Sequence, residues 1–214
     1  MRKVINDYKL YVFDLDGTLY DQPDLRRIMA LRLMSYYVFR PLKIKELILL
    51  SHFRKVKDGW KGSSSEEEII KKTASDKGAD PAVVSAVVKK WIYDNPISAL
   101  RRTADKALIE WIASLRKRGR KVAVLSDYPA ALKLEALSVK VDGIYDPTDE
   151  RIDELKPSPK GLISIMNDFG VQCGDVLMIG DRMEKDGECA KAAGCDWLIL
   201  PRKINKRHID EIKH

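Results

Sequence analysis

Asp14 and Asp16 stand one residue apart and are followed at once by Gly17 and Thr18. Asp-Gly alone is a common turn pair, but two carboxylates this close are costly unless something positive sits between them. Three later segments also place polar residues where a strand ends or a helix begins: Ser126, Lys156 within Glu154-Leu-Lys-Pro-Ser-Pro159, and Asp181 with Asp186 behind it. Each alone has an ordinary explanation: a strand-end hydroxyl, a solvated lysine, a helix cap. Brought together, Asp14, Asp16, Asp181 and Asp186 face one ammonium, that of Lys156. Like charges about 4 Å apart repel by roughly 4 kcal/mol at an effective dielectric near 20. A dication is therefore expected, and oxygen-only ligands favour Mg²⁺.

The elements that must position these residues are short apolar runs. Tyr11-Val12-Phe13 is β-branched or aromatic throughout, with no polar alternation, which predicts a strand covered on both faces of a parallel sheet. Similar runs recur at Lys121–Ser126, Gly143–Tyr145, Asp175–Gly180 and Trp197–Leu200, separated by helical stretches at 129–138, 159–169 and 184–193. Strands alternating with helices imply right-handed crossovers and a Rossmann-like α/β fold, a parallel sheet with helices on both faces. Such sheets bind ligands at the carboxyl ends of their strands. All four polar segments fall there.

One interval breaks the alternation. Between the first strand and a helix at 104–118 lie some eighty residues of helical pattern, far more than a crossover needs. Pro23 opens a helix with Leu25, Ile28, Met29, Arg32 and Tyr36 on one face, and Pro41 opens a second from Leu42 to Lys57. That second helix is amphipathic, with Lys43, Lys45, Arg54, Lys55 and Lys57 on a solvated basic face. Gly59 to Ser64 belong to a loop that begins at Asp58. Ser65 and Glu68 form a capping box for a third helix, Asp80-Pro81 caps a fourth, and Asp94-Asn95-Pro96 ends it. The reading is a core of residues 1–19 and 98–214 with an all-helical cap inserted at 20–97.

The chain's 214 residues can bury a full core, and 45% hydrophobic with 33% charged residues is ordinary for a globular protein. The start lacks the pattern of a signal peptide and no apolar run suits a membrane span, so a cytoplasmic location is expected. Cys173, Cys189 and Cys195 show no zinc or redox spacing and are expected to be buried thiols. The net charge of +7 is spread along the chain, partly in the basic segment 202–214, which reads as a solvated terminal helix or tail. No nucleic-acid or membrane partner is expected. The sequence gives no indication of oligomeric state.

Asp14-Leu-Asp16-Gly-Thr18, Ser126 after an apolar strand, Lys156 before Pro157, and Gly180-Asp181-Arg-Met-Glu-Lys-Asp186 together resemble the haloacid dehalogenase superfamily, in order and over the whole core. The helical insertion resembles that superfamily's first class of cap. The resemblance implies a Mg²⁺-dependent phosphatase acting on a small phosphorylated metabolite. In that reading Asp14 is the nucleophile and Asp16 the acid/base. Asp14, the Asp16 backbone carbonyl and Asp181 hold the metal, with Asp186 in support. Lys156 and Ser126 contact the phosphoryl group, Gly17 lets the backbone approach it, and Thr18 orients Asp16. Asp16 argues against the dehalogenases, which lack an acid there. Asp127 departs from the pattern, standing where many relatives carry Asn. A sugar-phosphate phosphomutase is the rival within the superfamily, and a phospho-accepting receiver domain, a signalling switch, the rival outside it.

Overall fold

β1 (Leu10–Phe13) lies at the centre of a five-stranded sheet. It pairs in parallel with β2 (Lys121–Leu125) on one side and β4 (Val176–Gly180) on the other. β3 (Gly143–Tyr145) and β5 (Asp196–Ile199) complete the order β3-β2-β1-β4-β5, also in parallel. The computed structural model describes residues 7–60, 63 and 65–201. The basic segment 202–214 and most of the loop at 61–64 lie outside the described residues.

Every side chain of β1 is fully buried, as its unbroken apolar run predicts. Alternate residues serve the two faces of the sheet. Tyr11 and Phe13 pack with Leu108, Trp111, Ile112 and Leu115 of α6 (Lys106–Lys117) and Leu134 of α7 (Ala131–Leu137). Trp111 meets both aromatic rings edge-on, at 6.2 and 5.6 Å. Leu10 and Val12 pack instead with Leu162 and Ile165 of α8 (Lys160–Phe169) and Cys189 of α9 (Glu188–Ala192). Burial of each aliphatic or phenyl side chain contributes about 1.5–3 kcal/mol, and this two-sided cover makes the strand a rigid mount for Asp14. Cys189 and Cys195 are buried as expected, whereas Cys173 is exposed, because it sits in a single helical turn on the rim before β4.

The long interval is helical. It comprises α1 (Gln22–Val38), α2 (Lys45–Asp58), α3 (Glu66–Lys77), α4 (Pro81–Val88) and α5 (Asn95–Thr103). Asp21 caps α1 by accepting from the Asp24 amide at 2.9 Å, with Pro23 in the first turn. Asp80 caps α4 in the same way through the Ala82 amide at 2.8 Å. Ser65 holds the N-cap position of α3, but its side chain makes no capping bond, so the expected capping box is not formed. Pro41–Lys43 is a separate 3₁₀ turn, which moves the start of α2 to Lys45 and leaves Leu42 exposed.

Asp94-Asn95-Pro96 does not end the fourth helix. A π-helical turn at Lys89–Asp94 joins α4 to α5, and Pro96 occupies the first turn of α5, where its missing N–H costs nothing. Arg32 of α1 secures that junction, donating to the Asn95 carbonyl at 2.6 Å and the Ser98 hydroxyl at 2.9 Å. Phe53, Ile69, Ile70, Val84 and Val88 form the insertion's own apolar cluster. Leu155, the residue before Lys156, packs into that cluster. Where the chain leaves and rejoins the core, Tyr20 and Ala104 pair antiparallel, the Asp21 amide donates to Thr103 at 2.8 Å, and the Asp105 amide to Leu19 at 3.0 Å.

Candidate active site

Asp14, Ser126 and Asp181 each follow directly on the carboxyl end of a strand, β1, β2 and β4. The sheet register brings these ends level: the Asp14 amide continues the β1–β4 ladder onto Ile179 at 2.8 Å, and the Ser126 amide continues β2–β3 onto Tyr145 at 2.9 Å. After β3 the chain returns across β1 to form β4, so the site lies beside the reversal in strand order where open α/β sheets place ligands.

Carboxylate oxygens of Asp14, Asp181 and Asp186 lie within 4.8 Å of one another. Lys156, itself buried, bridges two of them, its Nζ 2.6 Å from Asp14 Oδ1 and 2.6 Å from Asp186 Oδ1. Two glycines make this gathering possible. A Cβ on Gly17, whose φ is +108°, would come within 2.4 Å of Asp181 Oδ2, and one on Gly180 within 2.2 Å of Asp186. Gly17 thus gives room to a carboxylate. The Thr18 hydroxyl donates to Asp14 Oδ2 at 2.8 Å and orients that residue rather than Asp16, because the turn at 16–19 folds Thr18 back beside the end of β1. Asp186, placed by sequence in a supporting role, joins Asp14 and Asp181 as the third carboxylate of the cluster.

The Asp16 carboxylate faces a different set of groups. It accepts from Lys133 Nζ at 2.5 Å, from the Tyr20 hydroxyl, and from the Ser126 hydroxyl at 3.2 Å. Ser126 Oγ is also 2.7 Å from the Tyr128 carbonyl and accepts from the Tyr128 amide at 3.1 Å. Asp127 accepts from the Lys156 backbone amide at 3.0 Å. That bond engages the carboxylate that stands where many relatives carry Asn.

Burial drives the Asp14 carboxyl up, to about 7 without a bound cation, with Asp186 and Asp16 adding to the rise and Lys156 opposing it. Burial also pushes Asp16 up, but the Lys133 charge and the bonds from Lys133, Tyr20 and Ser126 outweigh it and hold Asp16 below the usual carboxylate range. Two carboxylates one residue apart are thereby set in opposite directions, the pattern by which neighbouring acids take distinct roles.

The acidic cluster fits a hard dication: it offers only oxygen ligands and more carboxylates than the one ammonium that bridges it can neutralise. A cation must displace the Asp14 proton, so Mg²⁺ affinity is expected to rise about tenfold per pH unit up to about pH 7 and then level off. Calorimetric titrations at several pH values check this, with proton release shrinking above the break.

Sequence reading missed Lys133, Tyr20 and Lys185, whose Nζ donates to the Lys156 carbonyl at 2.7 Å. Lys133 was detectable. It shares a helical face with Ala130 and Leu137, both buried, so its ammonium had to end in the interior. Lys57 belongs with it. Expected on a solvated face, it is buried, because it continues the Leu50 and Phe53 face of α2.

A parallel α/β sheet with a carboxylate cluster at its central strand ends, facing a helical insertion, defines the class of protein. The chain belongs to the haloacid dehalogenase-like hydrolase family, which matches residues 8–194. It is 26% identical to a phosphoglycolate phosphatase of Thiobacillus denitrificans over 209 residues, 92% of this chain and 85% of that protein. In fold it resembles a 2-haloacid dehalogenase from Pseudomonas syringae, with TM-score 0.63 and 16% identity over 96% of this chain and 97% of that one. A HAD-hydrolase from Bacillus subtilis bound to magnesium also reaches TM-score 0.63, with 14% identity over 96% of this chain and 98% of that one.

Proposed function

We propose that this protein is a cytoplasmic, Mg²⁺-dependent phosphatase that hydrolyses a small phosphomonoester through an aspartyl-phosphate on Asp14. The observation that carries the reading is the separation of the two motif carboxylates: Asp14 lies on Lys156 in the acidic cluster, Asp16 on Lys133, Tyr20 and Ser126. Asp14 attacks phosphorus, the bond from phosphorus to the ester oxygen breaks, and Asp16 gives its proton to the departing oxygen. Asp16 then takes a proton from the water that attacks the aspartyl-phosphate and releases inorganic phosphate. Lys133 favours the ionised Asp16 of this second step. The substrate dianion, once bound, pushes the other way and favours the proton that the first step needs.

Asp14, Asp181 and the backbone carbonyl of Asp16 would hold Mg²⁺, with Asp186 beside them. When bound, the ion neutralises charge on the transferring phosphoryl group. Lys156 supplies the fixed positive charge from the protein, and Ser126 a hydroxyl that would donate to a phosphoryl oxygen.

The lid is the helical insertion assigned to residues 20–97, with hinges at Tyr20-Asp21 and Asn95-Pro96 and an isolated bridge between Tyr20 and Ala104 at its base. It touches the core through Leu155 and through Arg182, whose guanidinium reaches Asp58 of α2 at 2.9 Å. Closure excludes water from the first step. Phosphate release from p-nitrophenyl phosphate tests the function. Activity is expected with Mg²⁺ and its loss with chelator. Turnover indifferent to chelator, or transfer of the phosphoryl group to a second hydroxyl of a hexose phosphate in place of hydrolysis, overturns it.

A further inference from the structure

Lys57, near the C-terminal end of α2, is the one cation of the helical insertion that is buried among the described residues, at 2% exposure. Its Nζ is sealed from solvent and makes no hydrogen bond. It lies 4.3 Å from the centroid of the Tyr128 ring, and Lys133 Nζ lies 5.2 Å from the same ring. All three residues line a cavity of about 720 Å³ that also holds Asp14, Asp16 and Lys156.

An aromatic face attracts an ammonium but accepts none of its three N–H donors. A buried, unpaired charge of this kind is costly unless something joins it. Burial pulls the Lys57 amine down from its ordinary value, and the fields of Glu66, Asp127 and Asp16 push it back toward the charged form. None of these acids is within bonding distance of it. The free donors therefore belong to a residue that lines the same cavity as Asp16, the group that meets the ester oxygen.

We infer that Lys57 is a specificity residue that binds a second anionic group, carboxylate or phosphate, carried on the leaving group of the substrate within two or three carbons of the ester oxygen. This rests on the phosphatase reading above. A short skeleton follows from the closeness of Lys57 and Lys133 to one ring, since a longer leaving group would carry its anion past the ammonium.

The test compares kcat/KM for 2-phosphoglycolate, ethylene glycol bisphosphate and ethyl phosphate, which share a skeleton and differ in the second anion. The wild type is expected to prefer one or both substrates with an anionic tail over ethyl phosphate by about tenfold to a hundredfold, the range of a charge-assisted hydrogen bond. Which one it prefers separates carboxylate from phosphate. Lys57→Met is expected to collapse that ratio to within about threefold, mainly through KM, and Lys57→Arg to restore part of it. A wild type that hydrolyses all three equally, or a Lys57→Met variant that keeps the wild-type ratio or loses all three substrates alike while Lys57→Arg fails to restore the preference, overturns the inference and leaves the phosphatase standing. A wild type that hydrolyses p-nitrophenyl phosphate but none of the three overturns this inference alone, and one that hydrolyses neither overturns the phosphatase reading with it.

Discussion

Asp14→Asn is expected to lower turnover of any phosphomonoester by on the order of 10⁴-fold or more, the scale seen when a nucleophile that acts as part of a unit is removed. Acid-quenched protein should then carry no phosphoryl group by mass. The amide keeps the shape of the side chain and can still meet Thr18 and Lys156, so the fold should survive. Stability supplies an independent readout. The Asp14 carboxyl is raised from 3.8 to about 7 in the folded, metal-free protein. Between those values the native state holds a proton that the unfolded chain has lost, so stability falls as pH rises through that window. Metal-free wild type should lose melting temperature from about pH 4 to pH 7, and Asp14→Asn should flatten that slope. Near-normal turnover in the variant would remove Asp14 from the role of nucleophile.

Lys156→Met should be the most damaging substitution for the fold. Burial pulls the Lys156 amine down, yet Asp14 and Asp186 outweigh it and hold it well above the ordinary lysine value. Removing one partner of such a buried group leaves the others uncompensated, at a cost of about 3–5 kcal/mol. In a chain of this size that is a fall of roughly 10 °C or more in melting temperature. The acidic cluster then lacks its ammonium, so added Mg²⁺ should stabilise Lys156→Met by several degrees more than it stabilises the wild type. A melting temperature within a degree or two of wild type, with no added response to Mg²⁺, would show that Lys156 does not hold the carboxylates together.

Much of this site was legible in sequence because strand ends are local facts. An apolar run that stops at a polar residue puts that residue at the edge of a parallel sheet, whatever the rest of the chain does. Asp14, Ser126 and Asp181 could therefore be assigned without coordinates, and the helical excess between the first two strands marked an insertion. Capping followed local rules at Asp21 and Asp80. It failed at Ser65, and Pro96 entered a helix instead of ending one, because a proline in a first turn and one past a last turn look alike in sequence.

The directions of the charged side chains were decided by tertiary structure. Asp14 and Asp16 are near neighbours in the chain, yet one meets Lys156 and the other Lys133, residues 142 and 117 positions away in sequence. Lys57 sits in the same helix as three solvated-looking basic residues, Lys45, Arg54 and Lys55, and only the packing of α2 turned it inward. Sequence alone determined which residue types gather at the central strand ends, since that follows from backbone periodicity and burial. Which carboxylate came to sit on Lys156 in the acidic cluster and which on Lys133 depended on long-range ion pairs. Those pairs form only once the sheet and the helical insertion have excluded water, and low dielectric then makes each neighbour's charge count.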